Sequence, residues 1–229
     1  PATLLVVMAH PRDLDPWDQD LLSFSGIRPA LFPAWDALPG LDTLLDETGG
    51  RRLRVLRQLE GDQPPRLVLT TIQALLQPAP DREQLTAHRK RLRVGQDIEP
   101  DAIVAWLLDQ GFKRTEALEL PGEFAQRGGI LDVFSPDAEA PYRLEFFGTE
   151  IESIRQFSPD TQRSLGDVRA IEITAQGRYD PGQEMMRGHL CDYLPTDAWT
   201  VLVELGDLEE QGKAYLERTG DITGLFSVP

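Results

Sequence analysis

Arg143, Glu145 and Phe147 alternate with Tyr142, Leu144 and Phe146 in the run Tyr142–Gly148. In an extended strand alternate residues share a face. If Tyr142, Leu144 and Phe146 meet a core, the other face sets an aromatic ring beside a guanidinium and a carboxylate in water. Such a face costs solubility unless something binds it, so its chemistry is recognition. The alternative is that Phe147 closes the strand end and tucks under a loop. The run Arg127–Phe134 lies just before it, joined through Ser135-Pro136-Asp137. Two short apolar runs with period-2 patterning around a turn-rich link read as two antiparallel strands.

Catalytic and cofactor chemistry finds no comparable constellation. A phosphate-binding loop needs a Gly-rich turn, then Lys and Ser or Thr. Gly212-Lys213 is followed by Ala214 inside a predicted helix, and Gly49-Gly50 by two arginines. Leu44-Leu45-Asp46-Glu47 resembles an apolar strand ending in a metal-binding pair, but its neighbours are loop-like and it reads as solvated loop. His10, His88 and His189 are far apart, and Cys191 is the single cysteine. That excludes an internal disulfide framework and a multi-cysteine zinc site. There is no Gly-x-Ser-x-Gly elbow and no zincin helix. No catalytic, cofactor-binding or metal residue is therefore expected.

The elements that must position the recognition strand follow from patterning. The chain has 229 residues, enough for one large or two small domains. Leu4–Met8 reads as a buried strand, 13–24 as a helix, 29–33 as a strand and 51–59 as an amphipathic helix with a basic outer face. Trp35–Gly40 is expected to be a loop with an apolar anchor. Strand 66–70 and short helix 71–76 follow. This alternation suggests an α/β layer with a parallel sheet. Near His88 the character changes. Strand 88–94 alternates Arg89, Arg91 and Arg93, and helix 101–110 stops at Gly111. Four strand candidates follow at 114–120, 129–134, 142–147 and 150–157, with 168–174 leading out. Ala175–Gly188 reads as loop, 200–205 as a buried strand and 208–216 as a helix. The expected fold is α/β, with an α+β domain at 89–171 inserted into a discontinuous α/β domain at 1–88 and 172–229.

Charge narrows the partners. The chain carries 23 basic and 38 acidic residues, a net −15. Residues 1–88 hold 8 basic and 12 acidic groups (−4), 89–171 hold 11 and 15 (−4), and 172–229 hold 4 and 11 (−7). Such a chain repels phosphate backbones in general, so it is not expected to be a dedicated nucleic-acid binder. The middle segment, richest in Arg and Lys, is where a local basic patch is expected. There is no run of 18 apolar residues and no signal-peptide pattern, so a soluble, cytoplasmic protein is expected. The chain opens at Pro1 without Met, and a fragment of a longer protein is expected.

Four segments carry a resemblance: Arg127–Phe134, Tyr142–Phe147, Glu150-Ile151-Glu152-Ser153-Ile154-Arg155 and Asp160-Thr161-Gln162-Arg163. They resemble the UvrB interaction domain shared by UvrB and the bacterial transcription-repair coupling factors. Trp35–Pro39, Arg52-Leu53 with Leu56, and Thr70–Leu75 look like the coupling-factor branch, and there is no room for UvrB's long aromatic hairpin. The likeness is specific in 89–174 and weaker in 175–229. It implies a degenerate nucleotide-binding-type α/β domain around the insert, with the ATP-driven motor further along the longer protein. It implies that the insert recruits UvrA, and that Arg127, Arg143 and Phe147 match the UvrA-contact positions. There an Arg would fork onto a partner carboxylate and Phe147 would be the apolar anchor. RNA polymerase would be reached only through other domains, the motor domains would be further partners, and DNA binding by this piece is not expected. The competing reading is an ATPase or helicase module of a UvrB-like repair protein.

Overall fold

The computed structural model describes residues 3–35, 47–175, 188–219 and 224–227. The first elements are β1 Leu4–Met8, α1 Leu14–Ser25, β2 Ala30–Phe32, α2 Glu47–Glu60, β3 Leu67–Thr71 and α3 Ile72–Leu76. Then come α4 Arg82–Ala87, β4 Arg89–Arg93, α5 Pro100–Asp109, β5 Lys113–Arg114, β6 Glu123–Arg127, β7 Ile130–Val133 and β8 Tyr142–Phe147. β9 Glu150–Phe157, β10 Ser164–Asp167, β11 Ala170–Thr174, β12 Trp199–Leu202 and α6 Leu205–Thr219 complete the order. Helices and strands mix as the expected α/β class requires. The chain divides into two compact units: Pro1–Pro39, Arg51–Arg82 and Gly182–Pro229 form one, and Gly40–Gly50 and Glu83–Pro181 the other.

The first unit is built on a parallel sheet in the order β12-β1-β3-β2. β1 is apolar throughout because it is central, and Leu5, Val7 and Met8 are buried there. Its core joins Val6, Met8, Leu14 and Leu69. α1 ends at Gly26, whose φ of +70° is left-handed and whose N–H donates to the Leu22 carbonyl. Thr71 caps α3, its hydroxyl accepting from the Ala74 N–H at 3.2 Å. The basic outer face expected of α2 has one exception. Arg52 is fully buried, with its guanidinium 4.1 Å from the Phe32 ring centre and 3.9 Å from that of Trp35. It donates to the carbonyls of Pro33 and Pro78, both at 2.8 Å. Gln77 holds Trp35 from the other side, accepting from its N–H at 2.8 Å and donating to its carbonyl at 2.7 Å. Trp35 is thus the expected anchor, while 36–40 of that loop and 176–187 of the Ala175–Gly188 loop lie outside the described residues, as do Leu44–Asp46.

The strand expected at 200–205 is buried in the sequence reading and exposed in the structure. β12 pairs with β1 on one side only, and Trp199 is 66% exposed and Leu202 52%. An apolar run alone does not distinguish a central strand from an edge strand; position in the sheet decides.

The second unit has a six-stranded sheet, β10-β9-β8-β7-β6-β5, and a two-stranded sheet, β11-β4. One face of the large sheet contributes Phe124, Leu131, Val133, Leu144, Ile151 and Ile154 to the core. α5 supplies Ile103, Val104 and Leu107 to the same core, and β4 and β11 supply Leu92, Ile171 and Ile173. Pro100 starts α5, where its missing N–H costs nothing, and Gly111 at φ +85° follows its end. The strand expected at 114–120 shrinks to Lys113–Arg114. The residues after it fold over the other face of the sheet instead: Leu118 packs with Ala125 and Phe134, and the Glu123 carboxylate accepts from the N–H groups of Glu119 and Leu120. β6 and β10 were not anticipated. Glu123-Phe124-Ala125-Gln126-Arg127 has no β-branched residue and only Phe124 to favour a strand, and β10 contains Gly166 and Asp167, so the propensity signal of each is weak.

Candidate partner-binding site

The outer face of the large sheet is fixed by register. Arg127 stands opposite Ile130, Ile130 opposite Glu145, and Glu145 opposite Ser153, so these four share one row across β6 to β9. The next row runs Ala125, Asp132, Arg143, Arg155. Phe147 lies on the same face of β8, two residues beyond Glu145. Phe146 is half-buried and packs against the core, whereas Phe147 is 80% exposed. The alternation read from the sequence therefore holds; Phe147 does close the strand end, but it is not tucked under a loop.

The β6–β7 turn shapes the site beside Phe147. Gly128 has φ +56°, a left-handed value that glycine adopts without strain. A Cβ on Gly129 would lie 3.0 Å from the Phe146 carbonyl oxygen, and the Gly129 carbonyl accepts the Phe146 N–H at 2.8 Å. Two residues without side chains thus allow β7 and β8 to close tightly and leave the neighbourhood of Phe147 bare. β9 is irregular at the same level: the partner of Glu145 is Ser153 but that of Phe146 is Ile151, a bulge that sharpens the local twist.

The three residues singled out by resemblance are brought to one face but are not equally free. Arg127 is exposed, with one guanidinium nitrogen donating to the Glu116 carbonyl. Arg143 is not an open fork. Its Nε and Nη2 each donate at 2.6 Å to the two carboxylate oxygens of Asp132. Nη2 also donates to Gln162 at 3.2 Å, and the guanidinium carbon lies 4.6 Å from the Phe157 ring centre. The side chains of Arg143 and Asp132 are only 19% and 15% exposed. The hydrogen bonds Arg143 donates to Asp132, reinforced by the charges of Asp132 and Glu145, raise the Arg143 pKa against the opposing effect of burial. Glu145 in turn pairs with Arg155 at 2.7 Å and accepts from Ser153 at 2.9 Å.

Asp132 and Ile130 were missed by the sequence reading. The hairpin register was the available signal: once Val133 is set opposite Tyr142, Asp132 must face Arg143. Elsewhere, Gly49-Gly50 lies within α2 and Gly212-Lys213 within α6, and neither forms a phosphate-binding turn. Ala9-His10-Pro11-Arg12-Asp13 follows β1. Among the described residues no cluster of three or more His, Cys, Asp or Glu is placed to hold a metal.

Residues 91–179 match the model of the UvrB interaction domain. The match contains every residue of the face just described. Residues 91–179 therefore carry a UvrB interaction domain. It is 38% identical over 188 residues to a transcription-repair-coupling factor of Mycobacterium tuberculosis, covering 75% of this chain and 14% of that protein. It is 36% identical over 127 residues to that of Bacillus subtilis, covering 56% and 11%. With that of Staphylococcus aureus strain Mu50 it shares 32% over 195 residues, covering 84% and 16%. The chain thus spans about a seventh of the first of these relatives. No helix among the described residues is long and apolar enough to cross a membrane.

Proposed function

We propose that this chain is a non-catalytic docking module of a transcription-repair coupling factor, and that it recruits UvrA through the outer face of the β6–β9 sheet. The observation that carries this reading is Phe147. A large aromatic side chain 80% exposed at the end of β8, on the same sheet face as Arg127 and the Glu145–Arg155 pair, fits an apolar anchor with a charged rim. Arg127 contributes a cation at that rim, suited to a partner carboxylate. The remaining motor domains would belong to the longer protein and supply its ATP-driven translocation. RNA polymerase would be contacted by other domains, and the setting is the cytoplasm.

The parallel β12-β1-β3-β2 sheet gives the ATPase reading its one support, since such sheets bind nucleotides beyond their carboxyl ends. The segment after β1 lacks the Gly-rich turn and the lysine that phosphate binding uses. The docking reading is tested by titrating UvrA with the 229-residue chain and with Phe147→Ala. A saturable complex weakened by the substitution supports it, and no complex with the unsubstituted chain refutes it.

A further inference from the structure

Asp132 has no role in the resemblance, yet it sets what the docking face presents. Four charges lie in a closed pattern across three strands: Asp132 on β7, Arg143 and Glu145 on β8, and Arg155 on β9. Arg143 is directly opposite both Asp132 and Arg155. Like charges directly opposite in a ladder repel. The pattern is stable because each arginine has its own carboxylate: Asp132 takes Arg143 at 2.6 Å, and Glu145 takes Arg155 at 2.7 Å. Asp132 holds the Arg143 fork with both oxygens, in the planar two-pronged geometry that fixes orientation as well as charge. Without it, Arg143 would compete with Arg155 for Glu145. Glu145 stands opposite Ile130 and two residues before Phe147, so that competition would disturb the strand at the anchor itself.

The geometry points to Asp132 as a positioning residue of the UvrA-binding face: it turns Arg143 inward as a clamp between β7 and β8, leaving Arg127, Ile130 and Phe147 as the surface the partner touches. This rests on the docking reading above and changes the part Arg143 plays in it. A clamp acts through geometry, so its loss lowers affinity without changing how binding responds to salt. A contact acts through charge across the interface, so its loss flattens the salt dependence.

The test is calorimetric titration of UvrA at several salt concentrations with the 229-residue chain and its Asp132→Asn, Arg143→Ala, Arg143→Lys and doubly substituted (Asp132→Asn with Arg143→Ala) variants. The expected result is that Asp132→Asn weakens binding about as much as Arg143→Ala, with the salt slope of the unsubstituted chain. The double variant should be no weaker than Arg143→Ala alone, the signature of residues acting as one unit. Arg143→Lys keeps the charge but lacks the fork, so it should behave like Arg143→Ala. Binding that is unchanged or tighter in Asp132→Asn, or preserved in Arg143→Lys with a flattened slope in Arg143→Ala, would overturn the assignment. If Asp132→Asn does not fold, Arg143→Lys decides alone by the same criterion. Phe147→Ala, run alongside, keeps the two claims apart: normal binding there removes the docking face itself.

Discussion

Arg143 and Asp132 face each other across the β7–β8 ladder and are joined by two hydrogen bonds of 2.6 Å on a half-covered sheet face. The arginine that resemblance marks as a partner contact is therefore already committed within its own sheet. A guanidinium so placed does structural work whatever else it does.

The first consequence is energetic. Arg143→Ala strands the Asp132 carboxylate in a site where it is only 15% exposed. Leaving a covered charged group without its partner costs about 1–3 kcal/mol. Urea unfolding should show a lower midpoint with an unchanged slope. A loss within about 0.5 kcal/mol, the range for ordinary surface substitutions, would mean the pair is solvated after all.

Adjacent phenylalanines should behave oppositely. Phe146 packs against the core while Phe147 projects into water. Phe146→Ala should destabilise by about 2–3 kcal/mol, below the full range for a buried Phe because Phe146 is half-covered. Phe147→Ala should leave the thermal midpoint within a degree or two, as an exposed substitution does. The reverse pattern in thermal melts would place the register one residue off.

Much of this face was legible in the sequence because alternation in Tyr142–Phe147 is strict and one face is buried, which fixes the register strongly. The same pattern could not reveal the Asp132–Arg143 clamp, which depends on how two strands are set against each other. β6 was hidden because Glu123, Gln126 and Arg127 have no strand preference of their own, and its pairing with β7 supplies the stability instead. β12 misled in the other direction: Trp199, Val201 and Leu202 look like core residues, and their exposure follows from a place at the sheet edge. Arg52 lay within a run of arginines that reads as a solvated helix face. Its burial between Phe32 and Trp35 depends on residues distant in sequence.

The nucleotide reading makes a clean prediction. Calorimetric titration of the chain with ATP and magnesium should give no binding heat in the micromolar range, and phosphate release should match the no-protein control. The motivation is the segment Ala9–Asp13 after β1, which offers neither a Gly-rich turn nor a lysine. Micromolar affinity would revive the ATPase module.

Residues 83–181 should fold when expressed alone. The piece keeps β11 whole through Thr174, together with the fully buried Ile173 that pairs with Lys90. A sheet with its own core is expected to unfold cooperatively. A chain without dispersed amide resonances would show that it depends on the rest of the protein.

The most direct measurement of the central claim is the affinity of UvrA for the 229-residue chain and for Phe147→Ala, determined by calorimetry with folding checked on the same samples. Truncating an interface anchor costs about 2 kcal/mol or more, which corresponds to a roughly thirtyfold weaker complex. The account predicts that loss with an unchanged melting temperature. Equal affinity for the two proteins, both folded, would contradict it.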